Sequence, residues 1–434
     1  MTWNRYPRYK DSVIGWLGEV PEHWEVRRLK HSTDLINTKI DGAESDLPYT
    51  GMEHIESWTG KRISTNKDTM SESQTNLYSR SDVLFGKLRP YLAKAHAPDI
   101  EGICSSEFLV LRPKAVEQKF LLNYVLNPDF IAMVDSSTYG AKMPRANWDF
   151  VGNLPTLIPP LDEQRTIASF LDRETERIDV LIAKKERQIE LLQEKRAALI
   201  SHAVTKGLNP DAKMKDPGIE WLGEIPEHWK IIKLGFKASV KARLGWKGLK
   251  AEEYVDEGFI FLSTPNIKKE AIDFVNVNHI RSERFYESPE IILQNGDVLI
   301  AKDGSTLGIT NVVKELPAPA TVNSSIAVIR PNLEVHSIFL YYLLLSDYTQ
   351  NIIQKMKAGQ GVPHLFQADI RKFWLWLPSF EEQNAIAAFL DVETVQIDVL
   401  IRKVEESTTK LHEYRTALIS AAVTGKIDVR KEVA

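Results

Sequence analysis

The residues best suited to chemistry are basic ones that gather in one stretch of the chain. Residues 230–250, KIIKLGFKASVKARLGWKGLK, hold seven lysines and arginines and no acidic residue. Such a stretch indicates either a surface that contacts phosphate groups or an ordinary solvated strand and turn, and composition leaves both open. Because the net charge of the 434 residues is −4, any nucleic-acid contact must lie in patches of this kind.

The groups that a self-sufficient enzyme needs are missing from the sequence. No Gly-x-x-x-x-Gly-Lys-Ser/Thr phosphate loop is present, and the ten histidines lack metal-ligand spacing. The tetrapeptide NPDF at residues 127–130 is one residue away from an amino-methyltransferase signature, and we interpret it as a helix-ending turn. His23 and His228 lie beside tryptophans, where we expect packing. We therefore predict no catalytic residue and no metal site in this chain.

The chain has the composition of a globular protein in a reducing compartment. A single cysteine, Cys104, cannot form an internal disulfide, and the first ten residues lack the apolar stretch of a signal peptide. The apolar runs at 338–345 and 373–378 are far shorter than the ~20 residues that span a bilayer. We expect a cytoplasmic protein without a membrane segment.

The elements that must position the basic residues are written twice. WLGEVPEHW at residues 16–24 returns 205 positions later as WLGEIPEHW, and EQRTIASFLDRETERIDVLI returns 219 positions later as EQNAIAAFLDVETVQIDVLI. A spacing this long holds a whole domain, so the chain is one domain plan used twice. The stretches 25–80 and 230–295 differ in sequence and length, which predicts a common frame around two different middles.

Each copy closes on a long helix with an apolar stripe. Apolar residues recur in alternating steps of four and three, Asp162 and Ser379 are candidate N-terminal caps, and Gly207 and Gly425 follow the last periodic residues. Such a stripe needs a partner, so we expect the two helices to pair, although the pattern leaves their relative direction open. The predicted seam comprises Ile178, Ile182, Ile189, Leu192 and Leu199 on the first helix and Ile397, Ile401, Val404, Leu411 and Leu418 on the second.

The segments between the duplicated ends are predicted to be compact α+β domains. SDVLFGKLRP and NGDVLIAKDGS each indicate a turn into a buried strand and then a basic loop. The loops YGAKMPRAN at 139–147 and AGQGVPHLF at 358–366 hold glycine, proline and polar residues at equivalent places before the helices. These two loops are candidate reading loops.

The ordered set of duplicated motifs resembles the DNA-specificity subunit of type I restriction-modification systems over the whole chain. The resemblance implies an α+β fold with two pseudo-two-fold-related target-recognition domains joined by two long antiparallel helices that form a coiled coil. It implies recognition domains at 1–160 and 208–379, with variable parts at about 25–158 and 230–378. The spacer helices would lie at 161–207 and 380–434.

The same resemblance implies what this chain binds. Its target would be double-stranded DNA with two half-sites and a nonspecific gap. Its partners would be two methyltransferase (modification) subunits and restriction or translocase subunits. Methyl transfer to adenine requires extruding the base into a catalytic pocket, so S-adenosylmethionine is expected in the modification subunit and not in this chain.

Within this resemblance, the basic and amide side chains of the loops are the candidate DNA contacts. Arginine, asparagine and glutamine can form paired hydrogen bonds with base edges, whereas lysine more often serves phosphates. Each candidate has an ordinary surface role as its alternative. The predicted contacts are Lys87, Arg89, Lys142, Arg145 and Asn147 in the first domain and Lys241, Arg243, Lys247, Lys302, Gln360 and His364 in the second.

Two other classes of protein remain as alternatives. The chain could be a self-contained DNA methyltransferase or nuclease, against which the missing cofactor and metal motifs count. It could also be a scaffold whose two globular parts bind proteins. Methylation of DNA by the chain alone would indicate the first class, and DNA binding that keeps a sequence preference would exclude the second.

Overall fold

The computed structural model describes residues 3–63, 74–140, 142–219, 222–243, 249–268, 271–357 and 364–432. The chain forms two compact units. Unit 1 comprises Met1–Glu186 and Glu405–Ala434, and unit 2 comprises Arg187–Val404. Compactness thus divides both long helices near their middles. The predicted domain boundaries stay a prediction. They give two recognition domains at 1–160 and 208–379 and two spacer helices at 161–207 and 380–434.

Unit 1 is built on two four-stranded sheets and two strand pairs. The sheets have the orders β4-β11-β8-β9 and β5-β7-β10-β6, and the pairs are β1-β2 and β3-β12. Its strands are β1 Tyr9–Asp11, β2 Glu19–Pro21, β3 Glu25–Arg28, β4 Thr33–Ile36, β5 Lys39–Asp41, β6 Tyr49–Thr50, β7 Gln74–Tyr78, β8 Val83–Gly86, β9 Ala95–His96, β10 Gly102–Cys104, β11 Phe108–Pro113 and β12 Pro155–Ile158. Its short helices are α1 Leu29–Ser32, α2 Gln118–Val125, α3 Pro128–Ser136 and α4 Trp148–Val151, followed by the long helix α5 Leu161–Lys206.

Unit 2 repeats this plan with a four-stranded sheet β16-β22-β19-β20, a three-stranded sheet β18-β17-β21, and the pairs β13-β14 and β15-β23. Its strands are β13 Met214–Lys215, β14 Ile225–Pro226, β15 Lys230–Lys233, β16 Ala238–Ala242, β17 Phe259–Leu262, β18 Asn278–Ile280, β19 Val298–Ala301, β20 Thr310–Val312, β21 Ala320–Val322, β22 Ile326–Pro331 and β23 Trp374–Leu377. Its helices are α6 Ser282–Tyr286, α7 Ser337–Leu345, α8 Asp347–Lys357, α9 Gln367–Ile370 and the long helix α10 Phe380–Val423.

The central sheets of the two units share a strand order although their sequences differ. In each unit the central sheet pairs a strand ending in Arg-Pro with the strand that follows a buried aspartate. Each unit also contains one parallel strand pair, β6 with β10 and β17 with β21. The central sheet and the parallel pair are therefore common to both units, whereas the other strands of the second sheet differ: β7 joins β10 in unit 1 and β18 joins β17 in unit 2.

An ion pair between a partly exposed arginine and a buried aspartate explains the repeated DVL and RP motifs. Arg112 Nε and Nη2 lie 2.7 and 2.9 Å from the carboxylate oxygens of Asp82, and Arg330 meets Asp297 at 2.7 and 2.8 Å. Both aspartates are fully buried. The hydrogen bond with Asp82 raises the pKa of Arg112, and Asp297 does the same for Arg330. Because a buried carboxylate needs such a partner, the pair fixes the start of the central strand to its neighbour.

The long helices pack against each other in opposite directions. In unit 1, Ile178 and Ile182 of α5 share a core with Leu418 of α10. In unit 2, Ile200 of α5 shares a core with Ile386 of α10. The beginning of each helix therefore packs against the end of the other, as in an antiparallel coiled coil, which confirms the predicted fold class.

An ion pair is used twice along this seam. Arg415 Nε lies 2.9 Å from Asp179 Oδ1 in unit 1, and Arg196 Nε lies 3.2 Å from Asp398 Oδ1 in unit 2. Each residue of the first pair is 219 positions from its counterpart in the second. The repeated pair is therefore another feature of the duplication in the sequence.

The ten predicted seam residues are all at least half-buried, but their part in a seam is not tested for each one separately. The buried members are Ile178, Ile182, Ile397, Val404 and Leu418. The half-buried members are Ile189, Leu192, Leu199, Ile401 and Leu411.

The predicted helix ends are right in three places and wrong in one. Ser379 Oγ accepts the amide of Glu382 at 3.2 Å, as an N-terminal cap does. Gly207 and Gly425 end the helices with φ of 75° and 71°. The prediction for Asp162 is wrong, because α5 already begins at Leu161 and places this carboxylate inside the first turn.

The repeated WLGE-PEHW phrase folds onto the first turn of each long helix. Glu163 accepts hydrogen bonds from Trp24 Nε1 at 3.0 Å and Tyr6 Oη at 2.6 Å, and it lies 2.8 Å from His23 Nε2. In unit 2, Glu382 is contacted in the same way by Trp229 at 3.2 Å and His228 at 2.9 Å. The tryptophans are buried, so both phrases act as anchors for the helices.

We expect Arg415→Gln to destabilise the chain. The Arg415 side chain is only 8% exposed, and removing its charge leaves Asp179 with one remaining cationic partner, Lys61. A loss of about 2 kcal/mol is reasonable for a half-shielded pair. For a unit of this size it corresponds to a decrease of about 4 to 8 °C in melting temperature, measurable by calorimetry.

The matched control is Arg196→Gln, since its pair with Asp398 is more exposed, at 23% and 38% of the side chains. Its melting temperature should decrease by less than half as much. Equal decreases for the two variants would contradict the interpretation that burial sets the strength of the seam pair.

Candidate nucleic-acid interface

In unit 1 the loop after β8 is fastened to the loop before α4. The carbonyl of Lys87 accepts the amide of Ala146 at 2.9 Å, and the amide of Arg89 donates to the carbonyl of Pro144 at 2.8 Å. These bonds fix the points from which the loop side chains leave the backbone. The first reading edge is defined as residues 87–91, 139–140 and 142–147.

Three predicted contacts on this edge carry positive charge that no described acidic group neutralises. Arg89 and Lys142 are exposed, and Lys87 is half-buried. None of them forms an ion pair with a residue that the structure describes. Their charges are therefore available to an anionic ligand at this edge.

The other two predicted contacts already have partners. Arg145 Nη2 and Nε lie 2.9 and 3.0 Å from the carboxylate of Glu107, which raises the pKa of Arg145. Asn147 is the cap of α4, and its side-chain oxygen accepts the amide of Asp149 at 3.0 Å. Both residues shape the edge, and a DNA contact by either would have to share these bonds.

Unit 2 repeats the fastening with different side chains. The amide of Lys302 donates to the carbonyl of Ser325, and the carbonyl of Lys302 accepts the amide of Leu365, both at 2.8 Å. These bonds correspond to those of Lys87 with Glu107 and Ala146 in unit 1. His364 Nδ1 contacts the carboxylate of Asp303. The second reading edge is defined as residues 302–306 and 364–366.

Arg243 does not suit the role predicted for it. Its side chain is fully buried, its Nε donates to the carbonyl of Val322 at 3.3 Å, and its guanidinium lies over the ring of Phe261. Burial and the nearby Arg284 lower the pKa of Arg243. A guanidinium without exposed surface cannot reach a base edge, so the structure gives Arg243 a role in packing.

Lys302 is also less available than predicted. Only 10% of its side chain is exposed, and its Nζ lies 2.9 Å from the carboxylate of Asp303. Lys302 and Asp303, together with His364 and Phe366, line an open cleft of about 570 Å³. The cleft offers a lysine and an aromatic ring, but Asp303 pairs with Lys302 and also contacts His364.

The remaining predicted contacts in unit 2 are scattered or outside the described residues. Lys241 is exposed on β16, between two buried neighbours. Lys247 and Gln360 lie outside the described residues. Among the described residues, the second edge therefore consists mainly of His364 and the residues next to it, Asp303 and Phe366.

Exposed aromatic residues at both edges were missed by the sequence analysis. Tyr91 is 47% and Tyr139 is 65% exposed at the first edge, and Phe366 is 61% exposed at the second. Exposed aromatic rings next to basic groups are typical of surfaces that meet nucleic acids. Their signal was present in the sequence, since each lies within a few residues of a predicted basic contact.

Two other kinds of site receive no support from the described part of the chain. Within these ranges, no group of three or more His, Cys, Asp and Glu side chains is placed to hold a metal ion. None of the described helices is both long enough and apolar enough to cross a membrane.

Each copy of the duplicated α+β unit thus has an edge with basic and aromatic side chains. Residues 21–191 and 248–403 match the family model described as the type I restriction modification DNA specificity domain. The matched residues cover most of the chain, which therefore belongs to this family.

Relatives and solved structures agree with this assignment. The MjaVIII specificity subunit of Methanocaldococcus jannaschii is 26% identical over 95% of this chain and 94% of its own length. The EcoKI specificity subunit of Escherichia coli K12 is 23% identical over 47% of this chain and 44% of its own. These names agree with the prediction that the chain is related to specificity subunits.

The fold is shared with solved specificity subunits. The HsdS subunit from Thermoanaerobacter tengcongensis superposes with a TM-score of 0.54 and 22% identity over 94% of this chain and 98% of its own. A chain from work on complex assembly and conformational transition of the type I R-M system reaches a TM-score of 0.76 at 22% identity, over 93% and 98% of the two chains.

We predict that Lys142→Ala weakens DNA binding without changing sequence preference. An exposed lysine serves phosphates, so its loss should reduce the slope of log affinity against log salt by about one unit. The measurement is binding of duplex DNA between about 50 and 200 mM salt. The control is Lys10→Ala, an exposed lysine on β1. An unchanged slope for Lys142→Ala would place this residue away from the DNA.

Proposed function

We propose that this chain is the subunit that selects the DNA sequence on which a type I restriction-modification complex acts. Each unit reads one half-site of a bipartite double-stranded DNA target, and the gap between the half-sites is not read. Two methyltransferase subunits bind the chain, and restriction or translocase subunits join them. The complex acts in the cytoplasm, where its DNA lies.

The observation that carries this proposal is the duplicated reading edge. Lys87 and Lys302 hold the same place and make equivalent backbone bonds, whereas the side chains around them differ. Arg145 with Glu107 in unit 1 is replaced by His364 with Ser325 in unit 2. A common scaffold with different polar groups is what reading two different half-sites requires.

The long helices offer equivalent places for two copies of one partner. Leu181 and Leu400 are 219 positions apart in the repeat and are 40% and 48% exposed. Val180 beside the first of them is 47% exposed. Apolar side chains exposed at equivalent places on a duplicated helix favour two identical docking sites, which supports a complex with two modification subunits.

The chemistry of the complex belongs to its partners. Methylation of adenine inside a duplex requires an extruded base, a closed pocket and S-adenosylmethionine. No glycine-rich cofactor loop precedes the NPDF tetrapeptide in the sequence, so we assign S-adenosylmethionine to the modification subunits. The role of this chain is to hold the DNA in the register at which they act.

Replacing residues 25–158 with the corresponding part of another family member should change one half-site only. Unit 2 keeps its own reading edge, so the second half-site should be the same as before. Methylome sequencing of cells that carry the chain with its partner genes measures both half-sites and their gap. The reciprocal replacement of residues 230–378 is the control. A change in both half-sites after a single replacement would contradict independent reading.

Lengthening both helices should change the gap and leave the half-sites unaltered. The best insertion sites are after Glu186 in α5 and after Val404 in α10, where the compact units divide. Four added residues lengthen a helix by ~6 Å, or about two base pairs at ~3.4 Å each. Methylome sequencing gives the new gap, and four substitutions at the same places without insertion are the control. An unchanged gap would show that the helices do not set the distance between half-sites.

A further inference from the structure

The loop after the central strand has left-handed backbone in both units, but only unit 2 uses glycine there. In unit 1, Arg89 and Ala93 have φ of 50° and 45°. The residues 215 positions later, Gly304 and Gly308, have φ of 69° and 89°. Glycine adopts this conformation at little cost, whereas a residue with a Cβ is strained in it. Unit 1 therefore retains strain that unit 2 avoids.

The two loops are equivalent in more than φ. The amide of Leu92 donates to the carbonyl of Arg89 at 2.9 Å, and Leu307 donates to Gly304 at 3.2 Å in the same way. The strand bond that follows, from Gly86 to the carbonyl of Lys94, recurs in unit 2 with the same length of 2.8 Å. The loop geometry is thus formed without an arginine in unit 2, so folding does not require the Arg89 side chain.

The surroundings hold Arg89 in its strained conformation. Its amide is bonded to Pro144, and the Ala93 carbonyl at the other end of the loop accepts the amide of Trp58 at 2.9 Å. Trp58 is itself left-handed, with φ of 66°, and its carbonyl accepts Arg415 Nη1 from α10 at 3.1 Å. Strained residues persist when their neighbours determine them in this way, and they concentrate at functional sites.

The Arg89 side chain makes no contact that would stabilise unit 1 among the described residues. It is exposed and forms no hydrogen bond or ion pair with the described residues. Tyr91, two residues on, is 47% exposed beside it. Because the neighbouring Arg145 is occupied by Glu107, Arg89 is the guanidinium on the first reading edge that is free to present its planar fork. A guanidinium fork matches the O6 and N7 acceptors of guanine in the major groove.

We propose that Arg89 is the residue that determines a guanine in the half-site of unit 1, and that unit 1 tolerates backbone strain to present it. Position 304 of unit 2 has no side chain for this role, so the two half-sites are read by different sets of residues. This inference rests on the proposed function, since it requires that unit 1 contacts DNA bases.

Two substitutions at one position separate strain from recognition. Arg89→Ala removes the guanidinium and keeps the strained backbone, whereas Arg89→Gly removes both. Arg89→Gly should increase the melting temperature by about 2 °C, and Arg89→Ala should leave it unchanged. Gly304→Ala should decrease it, because a Cβ there meets open space and adds backbone strain alone.

DNA recognition is tested with the chain assembled with its modification subunits. Duplexes carry the methylome-defined target with each G·C pair of the unit 1 half-site replaced in turn. Both Arg89→Ala and Arg89→Gly should lose discrimination at the same single pair by about tenfold or more. Arg89→Lys should keep most of the affinity and lose the discrimination, since lysine keeps the charge without the fork.

Each result supports or overturns a separate step. A melting temperature that does not increase for Arg89→Gly overturns the strain. Uniform weakening on every duplex makes Arg89 a phosphate contact and overturns base reading. Unaltered preference in both variants overturns this inference while the proposed function stands. An unaltered complex that shows no sequence preference overturns the proposed function and this inference together.

Discussion

The antiparallel pairing of the two long helices is the constraint on which the rest of the chain depends. Unit 1 is not a continuous piece of sequence, because the end of α10 completes its core. Arg415 at this end pairs with Asp179 and also holds the carbonyl of Trp58, next to the loop of the first sheet. The helix seam and the reading edge of unit 1 are therefore parts of one packed structure. The apolar stripe of each long helix is too long for a small domain to cover. Pairing of the two helices removes both stripes from water.

The reading edges show how recognition can vary while folding does not. The backbone bonds of Lys87 and Lys302 are equivalent, so the loops leave the central sheet at the same place in both units. On the first loop pair, Arg89 and Lys142 are exposed and form no ion pair with the described residues, so their identity is free to differ without loss of the fold. Phosphate contacts hold DNA in register, and the few groups that reach base edges decide the sequence. A scaffold with a fixed backbone and variable side chains suits this separation between phosphate contacts and base contacts.

Much of the fold could be predicted from the sequence, because repeated phrases and helical periodicity are local signals. The direction of the helix pair could not, since an apolar stripe looks the same to a parallel and an antiparallel partner. Ser379 and Asp162 show the limit at helix ends: both are good caps by type, but only Ser379 acts as one, because α5 starts at Leu161 and Asp162 lies inside its first turn. Arg243 shows the limit at the site. Its charge suggested a DNA contact, and burial, which depends on the fold around it, assigns it to the core.

Comparison of the two units within this one chain separates residues that the fold requires from residues that are free to differ. Where the units are identical, buried groups satisfy each other: Gln164 and Gln383 each accept a backbone amide, at 2.6 and 2.8 Å, and are almost fully buried. Where they differ, as at Arg89 and Gly304, the side chain is exposed or absent. A buried polar group that loses its partner costs the whole unit stability, so both copies keep it. An exposed side chain has no such constraint, and its difference between the copies is free to follow the ligand. Difference between duplicated units is therefore evidence for recognition when it coincides with exposure on a shared backbone.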